Sequence, residues 1–167
     1  RCILFYTLME NYEKVLSKLL SRSKYHFHIR ELAKETGLNP NTISSITDRL
    51  KEESIVKKEK GKMVVEVYCN LGAKEYQRKK KIFDIEILYK VGLVDFLIEK
   101  CNPRSIVLIK EREVIMVSEK KNVGNLEKYE EILGGKLDLI SVKKVNKEIL
   151  SKMINGFVLY GEVGGAK

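Results

Sequence analysis

A chain of 167 residues, 44% hydrophobic and 33% charged, has the makeup of one globular domain or two small ones, and no apolar run approaches the ~20 residues that span a bilayer. The net charge of +9 is lopsided: residues 1–81 hold 18 Lys and Arg against 10 Asp and Glu, a net +8, whereas residues 82–167 hold 14 against 13, a net +1. That asymmetry argues against a generally adhesive basic protein and for a polyanion-facing front half with a near-neutral back half. Cys2, Cys69 and Cys101 are odd in number and lack CxxC spacing, which argues against a disulfide framework and for a reducing, cytoplasmic setting. The chain opens on Arg1 rather than Met, read here as loss of the first residues or as a fragment. CILFY is either an apolar helix start or a short strand, too short for a signal peptide. Residues 12–20 then form a first helix. HIRELAKETG is a second, with Ile29, Leu32 and Ala33 on one face and Gly37 as its left-handed stop. Asn39 caps a third helix whose first position is Pro40, where the missing N–H costs nothing. Ile43, Ile46 and Leu50 make its buried stripe. Residues 55–59 and 63–68 are short β-branched runs joined through Lys60-Gly61-Lys62, with the glycine available for a positive φ.

The third helix presents Asn41, Thr42, Ser45 and Arg49 on another face, side chains of the kind that reach base edges and phosphates from a major groove. Lys57, Lys58, Lys60 and Lys62 crowd the hairpin turn behind it. Their mutual repulsion would be relieved by phosphates, and each neutralised phosphate releases counterions. A solvated lysine-rich turn guarding a sheet edge is the plain alternative, and the position directly behind two helices favours phosphate. Taken in order, HIRELAKETG, LNPN, TISSITDRLKEE and SIVKKEKGKMVVEVYCN resemble the winged helix-turn-helix of MarR- and ArsR-type transcriptional regulators. The resemblance implies double-stranded DNA as partner, the third helix in the major groove, and the hairpin as a wing on phosphate or the adjacent minor groove.

From 73 to 100 the pattern is helical, with a basic start at Arg78, Lys79, Lys80 and Lys81. An apolar series follows: Ile82, Ile85, Leu88, Tyr89, Leu93, Phe96 and Leu97, with Gly92 as a break. It reads as a connector that packs on a second domain and on a second subunit, dividing the chain into 1–72, 73–102 and 103–167. Strands at 105–109 and 114–117 form a hairpin. A helix at 126–133 ends on Gly134-Gly135, and a strand at 137–142, a helix at 146–154 and a strand at 157–163 complete a small domain with one mixed sheet.

The pieces NPRSIVLI, EVIMVSEKK, NLEKYEEILGGKLDLISV and EILSKMINGFVLYGEV look like the minimal nucleotidyltransferase domain of archaeal and bacterial proteins, in which a winged helix can precede that domain. The family carries a Gly-Ser turn, a loop of about ten residues and an Asp-x-Asp pair, which imply a triphosphate cradle and two Mg²⁺ ions. This chain departs there, since Ile109 is followed by Lys110-Glu111-Arg112-Glu113. Glu111 and Glu113 stand where the paired aspartates would, and Asp138 where the third carboxylate would. No glycine turn positions a phosphate, and Lys110 and Arg112 would compete for the carboxylates. The reading is a charged turn in a domain without catalysis, unless a segment with the motif is missing between Ile109 and Lys110, which intact mass would reveal. His26 and His28 lack a third ligand for a metal, and Asp84 and Glu86 point apart on a helix.

The sequence therefore predicts an α+β chain: a winged helix-turn-helix, connecting helices and a small mixed-sheet, nucleotidyltransferase-like domain of archaeal type. Its expected role is that of a cytoplasmic, homodimeric transcriptional regulator that binds DNA, with neither cofactor nor metal. The back domain would serve dimerisation or sense a small-molecule or nucleotide effector. The alternatives are a nucleotidyltransferase that recruits substrate through the winged helix, and a winged helix used for protein contacts.

Overall fold

His28 and Asn39 mark places where the front half turns from extended chain into helix. The computed structural model describes residues 2–61, 64–120 and 122–163, in a mixed α+β arrangement of two compact units, Arg1–Phe83 and Asp84–Lys167. The first unit holds α1 (Cys2–Ser21), β1 (Phe27–His28), α2 (Ile29–Thr36), α3 (Pro40–Glu52), β2 (Val56–Lys60) and β3 (Val65–Cys69). Helix α4 (Lys74–Lys90) runs from the first unit into the second.

Local chemistry explains these boundaries. The His28 N–H donates to Glu31 Oε2 at 3.3 Å at the start of α2, and Gly37 ends that helix at φ 67°. Asn39 Oδ1 accepts the Asn41 N–H at 2.9 Å, with Pro40 in the first turn of α3. Leu32, Ile43 and Leu50 then bury fully against Val15, Leu19 and Leu20 of α1 and Val67 of β3. Buried Thr47 satisfies its hydroxyl by donating to the Ile43 carbonyl at 2.8 Å.

Three features differ from the sequence expectation. The second helix begins at Ile29, because Phe27 and His28 are drawn into β1, which pairs antiparallel with β3 (Phe27 with Val67, His28 with Glu66). The sheet order is thus β1-β3-β2, three strands rather than a bare hairpin. The hairpin strands also run to Lys60 and Cys69, later than expected at both ends. Gly61 does not adopt a positive φ; its N–H closes the turn on the Val64 carbonyl at 2.9 Å, and a Cβ there would meet that oxygen at 3.3 Å. Lys62 lies outside the described residues.

Cys69 is buried beneath α1 with its Sγ 3.5 Å from the Leu19 carbonyl oxygen, and burial pushes the thiol up to about 12. Iodoacetamide at mildly alkaline pH is therefore expected to leave Cys69 unmodified in the folded protein and to label it in denaturant. Labelling of Cys69 without denaturant, read by peptide mass, would contradict this burial.

In the second unit Gly92, at φ 75°, separates α4 from α5 (Leu93–Cys101). Beyond them lie β4 (Ser105–Lys110), β5 (Glu113–Val117), α6 (Glu127–Leu133), β6 (Asp138–Val142), α7 (Lys147–Ile154) and β7 (Phe157–Gly161). The sheet order is β6-β5-β4-β7, with β5 and β6 parallel and the other pairs antiparallel, so the sheet is mixed as expected. Strands buried on both faces read as continuous apolar runs, as SIVLI and VIMV do. Ile106, Leu108, Val114 and Met116 pack with Leu88, Leu93 and Leu97, whereas Val107, Ile115 and Val117 pack with Met153. From the apolar helical series, Ile82 is 54% exposed and Tyr89 43%. Among the described residues no helix is long and apolar enough to cross a membrane.

Candidate nucleic-acid interface

Packing Ile43, Ile46, Thr47 and Leu50 inward leaves one polar stripe on α3 outside. Asn41 and Ser45 are exposed on it, Thr42 is half-buried, and Arg49 is exposed further along. Arg49 is already engaged. Its Nε donates to Glu53 Oε1 at 2.9 Å, and its guanidinium lies 4.7 Å from the centre of the Tyr12 ring. The Tyr12 hydroxyl donates to the other Glu53 oxygen, and burial, reinforced by that carboxylate, holds the phenol well above its ordinary range. The three side chains tie the end of α3 to α1.

The hairpin lysines divide between its two faces. Strand alternation puts Lys58 and Lys60 on the side of Val56, facing α3, and Lys57 on the opposite side. Lys60 and Lys57 are exposed, and Lys57 stands opposite Tyr68. Lys58 folds back onto α3, where its ammonium donates to Asp48 Oδ1 at 2.7 Å and to the Ser44 carbonyl at 3.4 Å. The side of the sheet away from α3 carries Glu59 directly across from Glu66. Tyr68 donates to Glu59, while His26 stacks on the Tyr68 ring at 4.2 Å with its Nδ1 3.2 Å from Glu66. The structure thus brings Asn41, Thr42, Ser45 and Arg49 onto one helix beside Lys58 and Lys60, with Lys57 apart from them. The carboxylates that hold Arg49 and Lys58 were missed in the sequence. The i,i+4 spacing of Arg49 and Glu53 was readable there; the approach of Asp48 to Lys58 required the folded hairpin.

In the second unit the turn between β4 and β5 is held by a helix end. Lys110 and Glu113 pair across the hairpin, with Glu111 and Arg112 as the turn. Arg112 donates to the Leu133 carbonyl at 2.8 Å and the Gly134 carbonyl at 3.4 Å, so its charge sits on the C-terminal end of α6. Sequence reasoning expected Arg112 to compete for the neighbouring carboxylates; the helix end takes it instead. Gly135 makes room, since a Cβ there would lie 2.0 Å from Arg112 Nη1. Glu113 and Asp138 are partners in the parallel β5–β6 register, and the Asp138 N–H donates to the Arg112 carbonyl at 2.9 Å. Among the described residues no group of three or more His, Cys, Asp and Glu is placed to hold a metal ion. No protein-family model, no curated protein and no solved structure matches this chain.

Proposed function

We propose that the chain is a DNA-binding transcriptional regulator whose first unit acts as a winged helix-turn-helix. Helix α3 enters the major groove with Asn41, Thr42 and Ser45 toward base edges, and Lys60 on the facing side of the wing holds phosphate. Lys57, on the face of the hairpin that carries Glu59 and Glu66, is set apart from that contact. Arg49 faces the same groove from the far end of the helix, where Glu53 holds it. The observation that carries the reading is an exposed stripe of small polar side chains on a capped helix, flanked by a lysine-bearing hairpin. It lies in the half that holds a net +8 of charge. The second unit is a nucleotidyltransferase-like domain without catalysis, which serves homodimerisation or senses a small-molecule or nucleotide effector. Support comes from Arg112, whose guanidinium sits on the end of α6.

The test is fluorescence anisotropy with labelled duplex DNA of random sequence, titrated across salt concentration. Micromolar or tighter binding with a steep negative slope of log K against log salt is expected. Lys60→Gln should make that slope shallower by about 0.9, the share of one phosphate contact. No binding at low salt by a folded sample would remove the proposal.

A further inference from the structure

We infer that Asp48 acts as an internal counterion to Lys58 and withholds that lysine from DNA phosphate, so the carboxylate sets how many cations the surface presents. This inference rests on the DNA-binding reading. Lys58 projects from β2 toward α3, where its ammonium donates to Asp48 Oδ1 at 2.7 Å and to the Ser44 carbonyl at 3.4 Å. Ser44 and Asp48 are one helical turn apart, so both acceptors stand on the same side of α3. The Lys58 side chain is only 11% exposed while Asp48 is 58% exposed, so the cation is folded in and its partner faces solvent. A phosphate oxygen and a carboxylate oxygen are recognised by the same charge-assisted hydrogen bond, so a duplex beside α3 competes with Asp48 for one ammonium. Arg49 repeats the arrangement with Glu53 at 2.9 Å on the same helix. The surface therefore engages fewer phosphates than its lysines and arginine would suggest, and its affinity rises when the carboxylate is neutralised.

The experiment measures the salt slope of full-chain binding to labelled random duplex for wild type, Asp48→Asn, Lys58→Met and the double variant. Glu52→Gln, at another exposed carboxylate of α3, controls for the mere removal of a negative charge. Lys58→Met is expected to keep the wild-type slope, because its charge does not reach phosphate. Asp48→Asn should steepen the slope by about 0.9, the double variant should return it to wild type, and Glu52→Gln should leave it in place. Two results overturn the inference while leaving DNA binding intact: a shallower slope in Lys58→Met alone, or an Asp48→Asn slope equal to that of Glu52→Gln. Failure of every variant and of wild type to bind at low salt removes the DNA-binding reading, and this inference with it. Should Lys58→Met fail to fold, as judged by circular dichroism, Lys58→Gln retains a donor for the Ser44 carbonyl and the same slopes decide.

Discussion

Replacing Phe27 with alanine is expected to destabilise the first unit by about 3–5 kcal/mol, the usual cost of truncating a fully buried aromatic ring. Phe27 has no exposed surface, and its ring meets Tyr25 edge-on at 4.7 Å with the Arg22 guanidinium 4.8 Å from its centre. Its position makes the loss larger than a cavity alone. Phe27 is one of only two residues in β1, so losing its anchor also loosens that strand from β3. Denaturant titration followed by circular dichroism should show the transition shifted to lower concentration, with duplex binding falling as the folded fraction falls. A change below ~1 kcal/mol would mean that the strand does not depend on this ring.

Gly161→Ala is expected to cost about 2–5 kcal/mol, from two sources that combine. Gly161 sits at φ 72°, where an L-residue is strained by about 1–2 kcal/mol. A Cβ at this site would also fall 1.9 Å from the Arg104 carbonyl oxygen. That obstacle is backbone at the start of β4, so no side chain can swing aside, and overpacking of this kind costs about 1–3 kcal/mol. Gly72→Ala is the natural comparison, since nothing lies within 4 Å of a Cβ there. The informative quantity is the difference between the two variants in thermal or denaturant unfolding. Equal stability for both would contradict the register of β4 and β7 at Ser105 and Gly161.

What could be read from the chain beforehand was local. Gly37, Asn39, Pro40 and Gly92 act on backbone groups within one turn of themselves, so their meaning does not depend on the rest of the fold. The stripe of Ile43, Ile46 and Leu50 is likewise a property of one helix, and the alternation of helices and strands after Pro103 needs no more than composition and spacing. Strand β1 was not readable, because two residues display no period; it exists only because Val67 and Glu66 lie alongside. Nor was the fate of Arg112 readable, since the carbonyls it binds belong to residues 21 and 22 positions later. The same holds for Lys58. Four lysines around a turn look equivalent in sequence, and only pairing of the strands sends Lys58 and Lys60 toward α3 and Lys57 away from it. Gly61 was read as a conformational requirement, whereas the folded turn uses its small size.

Glu59 and Glu66 face each other across the hairpin, an arrangement that costs free energy when both are charged and that Tyr68 and His26 partly offset. The consequence is directional. A polyanion nearing the hairpin from that flank meets paired carboxylates, while one nearing from the α3 flank meets Lys60. The hairpin is thus electrostatically handed: its outer surface sets two carboxylates beside Lys57, whereas the surface toward α3 presents Lys60.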